Sequence, residues 1–200
     1  MKNSKDEEKV LVIETKKFFP NGIWEGFREE STSGVLDLIN KNKQFIRRGA
    51  VEEDENYQQV IPQIVLKVGS RIFIHRIPAT GGEKRLHDQW PIFLGGHINE
   101  TDLDIKKASE REFREEINYK GKIISKKFLG VVKRHDYPVN KVHIGLVWLF
   151  EGDSENFEST EDEGITDGKF IEIKNLNDYL GKMTYWSELV AKFIIKKFSS

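Results

Sequence analysis

Three features of the 200-residue sequence predict an α+β fold. Apolar, β-branched runs of strand length outnumber the helical patterns. Two of these runs, QQVIPQIVLKV and RIFIHRI, are separated only by Gly69-Ser70, as in a hairpin. The amphipathic segments Asp102 to Ile117 and Thr184 to Phe198 stand apart and do not alternate with strands, which argues against a regular βαβ winding.

The elements follow in order. Lys9 to Phe18 opens with the apolar run KVLVI and suits a strand; Pro20-Asn21-Gly22 is a turn signal. Ser31 to Asn40 suits a short helix entered through a Ser or Thr cap. The polar break VEEDEN, Val51 to Asn56, sets a boundary between an N-terminal extension, residues 1–56, and a main domain, residues 57–200. In the hairpin, Pro62 favours an edge strand or a strand start, because proline has no N–H for a ladder. ATGGEKRLHDQ is a glycine-containing loop, and PIFLGGH reads as a short strand running into glycines. KIISKKFLGVVKRH and KVHIGLVWLFEG are two further strands joined around Asp136-Tyr137-Pro138. The acidic loop Asp153 to Gly168 precedes a last strand, KFIEI. The final helix carries an apolar stripe at Trp186, Leu189, Val190, Phe193 and Ile194.

Composition narrows the function. Lys and Arg total 32 and Asp and Glu 33, so no basic surplus points to a nucleic-acid polymer. With no cysteine there is no disulfide, Cys-ligated zinc or thiol nucleophile. The five histidines are dispersed without HxxxH spacing, which argues against a zinc centre. The charged N-terminus has no apolar signal core, and no apolar run approaches membrane-spanning length. Together these features suggest a cytoplasmic protein.

The chemistry concentrates in GGHINETDLDIKKASEREFREEI, Gly95 to Ile117. At about 100° per residue, with Ile105 at zero, Ala108 falls near −60°, Phe113 near +80° and Ile117 near +120°. Glu112 then falls near −20°, Glu116 near +20° and Glu115 near −80° on the same scale. Three carboxylates continue the face of Ile105 and Ala108, whereas Lys107, Arg114 and Glu110 form a mixed-charge face expected to be solvated. Inward acids repel one another and carry a desolvation cost of several kcal/mol unless paired or metal-bound. A hard cation with oxygen ligands, Mg2+ or Mn2+, resolves both problems.

These residues resemble the Nudix hydrolase signature, G-x5-E-x7-R-E-U-x-E-E-x-G-U, where U is a bulky apolar residue. Arg111 to Glu116 matches its R-E-U-x-E-E core at every specified position, with Phe113 at U. Gly96 stands as the motif glycine and Tyr119 as the last bulky residue. Asp102 stands in place of the first Glu, one residue too far from Arg111; the alternatives are that Glu100 or Asp104 serves instead, or that the position is vacant. Asn118 replaces the second glycine, a substitution a left-handed helix exit tolerates. The wider stretch from about Gln58 to Phe198 is similar to a MutT-type predicted phosphoesterase subgroup.

The resemblance implies an α/β/α sandwich with a mixed β-sheet and a loop-helix-loop motif. It also implies Mg2+-dependent hydrolysis of a diphosphate linkage in a small-molecule nucleoside diphosphate derivative or related compound. Glu112 and Glu116 would ligate the metal, with Glu115 as a further ligand or neighbour and the Gly96 carbonyl contributing. Arg111 would hold the glutamates. Glu163 is the first choice for a catalytic base from the acidic loop, Asp167 the second. Arg76, Arg85 and Lys133 lie near strand ends or loops and could meet phosphate. Two alternatives stand beside hydrolysis. One is a Nudix-fold nucleotide-binding protein that has lost catalysis. The other is an interaction protein, or a homodimer, using Val10 to Ile13, Phe18, Phe19, Ile23, Trp24 and Phe27 as its interface.

Overall fold

The structure, a computed structural model, describes residues 4–79, 86–159 and 165–198. In chain order the elements are β1 (Lys9–Glu14), α1 (Thr15–Phe18), β2 (Gly26–Glu29), α2 (Thr32–Asn42), β3 (Gln44–Arg47), α3 (Arg48–Val51), β4 (Tyr57–Val68) and β5 (Arg71–Arg76). Then come α4 (Ile105–Glu116), β6 (Ile117–Tyr119), β7 (Ile123–Lys133), α5 (Pro138–Lys141), β8 (His143–Gly152), β9 (Phe157–Ser159), β10 (Thr166–Glu172) and α6 (Tyr185–Phe198). The chain forms two compact units: residues 1–63, 96–110 and 128–147, and residues 64–95, 111–127 and 148–200. Strands β4, β7 and β8 contribute to both.

In the first unit β1 is buried from Val10 to Ile13 and pairs antiparallel with β3 and with the start of β4, Val12 opposite Gln59. The apolar run anticipated as an interface is therefore spent inside the unit. Val10 and Val12 pack with Val51, Ile46 and Tyr57. Helix α2 starts where a cap was expected, the Ser31 hydroxyl accepting from the Gly34 N–H at 3.3 Å. Strand β2 pairs antiparallel with β7, and Gly130 lies so close to it that a Cβ there would run into the Arg28 carbonyl.

In the second unit β5 pairs antiparallel with β4, Lys67 opposite Ile72, and with β10, Phe170 opposite Phe73. Gly69 makes the hairpin turn at φ +56°, a conformation glycine adopts without steric cost. The register sets two faces. Phe73, His75 and Phe170 share one; Ile72, Ile74, Arg76 and Lys169 share the other. The Phe73 ring meets Phe157 of β9 at 4.9 Å and Phe170 at 5.5 Å. Strand β9 pairs with β6, the strand into which α4 runs, as Ile117 opposite Ser159.

The class is mixed α/β with a mixed sheet, as expected. The mixture arises at β4 and β8. Gln59 N–H donates to the Val142 carbonyl at 2.7 Å, and Lys67 pairs with Glu151 at 2.8 Å, so both chains advance together and run parallel. Two expectations need correction. Pro62 lies inside the 12-residue β4, neither at its start nor on an edge strand. It falls between the stretch paired with β1 and the Ile64–Leu94 bridge, where a missing N–H interrupts neither set of bonds. Residues 91–97 form no strand: Leu94 alone bridges to Ile64, because Ile92 N–H is taken by Ser187 Oγ at 3.1 Å and the Phe93 carbonyl by His75.

Candidate active site

Helix α4 is started by Asp104. Its Oδ1 accepts from Lys107 N–H at 2.8 Å, and its carbonyl accepts from Ala108 N–H at 2.9 Å. The other two acids before the helix are also engaged. Asp102 closes a turn with Asn99, accepting from its N–H at 2.9 Å and donating to its carbonyl at 3.0 Å; Glu100 pairs with Lys9 at 2.8 Å.

Along α4, Ile105, Ala108, Ser109, Glu110, Glu112 and Phe113 are buried, while Lys106, Lys107, Arg114 and Glu115 are exposed. The buried arc is wider than the apolar residues alone suggested. Glu110, expected on the solvated face, is only 8% exposed. It sits about 20° from Ile117 on the wheel, and Lys107 reaches over it at 3.2 Å. Glu112 is 9% exposed, whereas the Glu115 carboxylate lies at the rim. Arg111 joins these two, Nη1 donating to Glu112 Oε1 and to Glu115 Oε2 at 2.8 Å each. The guanidinium thus supplies charge-assisted bonds to a carboxylate whose burial would otherwise be costly. Glu116, one turn after Glu112, is half-buried. At its end the helix passes directly into β6, so Asn118 is a strand residue with no left-handed backbone; its amide donates to Glu158 at 2.8 Å.

Arg76 is bracketed by two aspartates, Asp167 at 2.6 Å and Asp88 at 3.3 Å. Both carry positive φ, +51° and +62°. It shares the sheet face of Ile72 and Ile74, while Phe73 and His75 take the face toward β9. Glu163 and Arg85 lie outside the described residues. Lys133 does not offer its charge to phosphate. It is fully buried, its ammonium donating to Gln58 Oε1 at 2.6 Å and to the carbonyls of Asn140, Lys141 and His143 at 2.7–3.0 Å.

A histidine pair went unforeseen. His143 Nδ1 donates to the Val139 carbonyl at 2.6 Å, which leaves its Nε2 as acceptor. His97 Nε2 lies 2.9 Å from Gln59 Oε1 and 3.4 Å from His143 Nε2, and so carries the proton. Burial pulls the His97 pKa down to about 3. The two histidines are far apart in sequence, and no local pattern announces their meeting.

Among the described residues no group of three or more His, Asp or Glu side chains is placed to hold a metal ion. The donor chemistry still fits a hard cation: Glu112 brings buried carboxylate oxygens, and Glu116 follows on the same helix face. Glu115 fits less well as it stands, since Arg111 draws it to the rim.

A carboxylate-bearing helix of this sequence, entered through paired glycines and braced by its own arginine, points to a known class. The NUDIX domain family model matches residues 64–190, and the chain belongs to the Nudix hydrolase family. Its relatives include Protein YmaB of Bacillus subtilis (strain 168), 30% identical over 173 residues and spanning 80% of this chain and 82% of that protein. Among solved structures, Tm1382, itself assigned to the Nudix hydrolases, superposes with a TM-score of 0.83 at 28% identity, covering 96% of this chain and all of that one. The NUDIX domain of NrtR from Shewanella oneidensis, solved with ADP ribose, shares the fold at TM-score 0.56 and 10% identity, covering 70% of this chain and 88% of that one.

Proposed function

We propose that this chain hydrolyses a diphosphate linkage in a nucleoside diphosphate derivative or related compound, with Mg2+, or Mn2+ in its place. The observation that carries this reading is the buried Glu112 carboxylate, braced by Arg111 on α4 within the stretch that matches the family. Glu112 and Glu116 are the proposed metal ligands, with Glu115 beside them and the Gly96 carbonyl as a backbone ligand. The cation would neutralise phosphate charge and lower the pKa of a water. Arg111 keeps Glu112 oriented through its hydrogen bond. Glu163 is proposed as the base that takes the proton of that water, and Arg76 and Arg85 as phosphate contacts. For Arg76 this requires exchange of Asp167 or Asp88 for the substrate. The Nudix domain is placed at residues 57–200, with 1–56 as its N-terminal extension.

The test is a Mg2+-dependent hydrolysis screen over nucleotide sugars, dinucleotides, oxidised nucleotides and coenzymes, run beside Glu116→Gln. Turnover by the wild type and none by the folded variant supports the assignment; full activity in the variant overturns it. A second reading, a Nudix-fold nucleotide-binding or interaction protein without catalysis, draws on Asp102. This acid stands at the motif's first acidic position yet is engaged with the Asn99 backbone. Calorimetry showing nucleotide affinity without turnover across the panel would favour it.

A further inference from the structure

Residues 91–95 lead to Gly96 without a strand ladder, so a few bonds set their course. These are the Ile64–Leu94 backbone pair at 2.7 and 2.9 Å, His75 N–H to the Pro91 carbonyl at 3.3 Å, Ile92 N–H to Ser187 Oγ at 3.1 Å, and His75 Nε2 to the Phe93 carbonyl at 3.0 Å. Gly95 follows at φ +156°. Two successive glycines have no side chains to hold them, so their orientation is inherited from these anchors before them and from His97 and Ile98 after them, the His97 ring on Gln59 Oε1 at 2.9 Å and the Ile98 carbonyl accepting from Leu11 N–H at 2.8 Å.

His75 is an expensive way to fill its place. It is 6% exposed, and its ring lies stacked against Phe73 at 6.0 Å. A carbonyl can only accept, so Nε2 carries the proton and Nδ1 is a bare lone pair. Among the described residues that buried Nδ1 has no hydrogen-bond partner. An orphaned buried acceptor is destabilising, and a phenyl or isobutyl group here would avoid it. What histidine adds over such a group is one donor, aimed at Phe93.

We propose that His75 is a positioning residue for the divalent cation: by holding the Phe93 carbonyl it sets the path of Gly95-Gly96 and so the direction of the Gly96 carbonyl. This rests on the metal role proposed for Gly96 above. Burial pulls the His75 pKa down to about 4, which keeps the ring a neutral donor at pH 7.

Titration of the substrate-free protein with Mn2+, followed by the electron paramagnetic resonance of the free ion, tests the proposal on wild type, H75F, H75Q and E112Q. Wild type binds, E112Q loses binding, H75F binds about tenfold more weakly, as outer partners of ligands typically cause, and H75Q recovers most of the affinity through its amide N–H. Thermal unfolding without metal should show H75F no less stable than H75Q, since a purely structural role would not separate the two in Mn2+ affinity alone. Should H75F not fold, H75L gives the same comparison. Wild-type affinity in the folded apolar variant, or an H75Q as weak as H75F, overturns the positioning role while leaving the metal site standing. A wild type that binds no Mn2+ overturns the metal reading and this inference with it.

Discussion

Lys133→Met sets two opposing effects against each other. The ammonium has three N–H donors and four oxygens within 2.6–3.0 Å. Charged hydrogen bonds contribute about 1.5–3 kcal/mol each, or roughly 4–9 kcal/mol gross for three. Against this, burying an ammonium costs several kcal/mol, and methionine keeps most of the stem's packing. Four buried oxygens left facing a thioether tip the balance, for a net loss of about 2–4 kcal/mol at pH 7. The pH dependence sharpens the test. Burial pulls the Lys133 pKa from 10.5 to about 7, with Glu25 and Glu55 opposing. Below pH 7 both folded and unfolded chains hold the proton. Between pH 7 and 10.5 the unfolded chain holds more protons, so wild-type stability rises by about 1.4 kcal/mol per unit. The variant lacks this gain, and the gap widens by roughly 2 kcal/mol from pH 7 to pH 9. Urea unfolding followed by tryptophan fluorescence measures both. A variant as stable as wild type, or a gap that stays constant with pH, refutes the reasoning.

The remaining predictions test single features. Glu112→Gln should abolish Mg2+-dependent turnover, at least about a hundredfold, with far-ultraviolet circular dichroism unchanged; retained activity removes Glu112 from the site. Gly130→Ala should destabilise the β2–β7 pair by about 2–4 kcal/mol, because its Cβ meets the Arg28 carbonyl; chemical denaturation reads the loss. Asp104→Ala should cost about 1 kcal/mol through the lost cap, seen as a lower midpoint in the same experiment. Acid should unfold the protein partly through His75 and His97, whose folded pKa values are depressed to about 4 and about 3 by burial. Their contribution is fully present above 6.5 and falls by about 1.4 kcal/mol per group per unit as pH drops from there. A shallower fall in stability between pH 6.5 and 4.5 in a H75F/H97N double variant than in the wild type is the expected result, the remainder including His143, whose pKa burial also lowers.

Much was legible because it is local. Hairpin β4–β5 was announced by two β-branched runs around Gly69-Ser70, and α2 by its Ser31 cap. Helix α4 was announced by its apolar period, and Arg111 to Glu116 by a motif contiguous in the chain. What escaped depends on distant partners. Periodicity placed Glu110 on the solvated side, but the arc that buries it extends past Ile117. PIFLGGH has strand composition, yet its polar groups go to Ser187 and His75. Asn118 needed no left-handed exit once Ile117 found Ser159 as its strand partner. Lys133 looked like a surface cation until Gln58 and the α5 segment closed around it.

The sequence by itself determined the family, the fold class and the helix that carries the acids, since each rests on residues close enough to interact through one period or one motif. Only the tertiary structure decided which of those acids are buried, what Arg111 holds, and that His75, Lys133 and the His97–His143 pair spend their polar groups inside the protein. The reason is physical: burial and hydrogen-bond partnership are properties of the space around a side chain, and that space is supplied by residues tens of positions away.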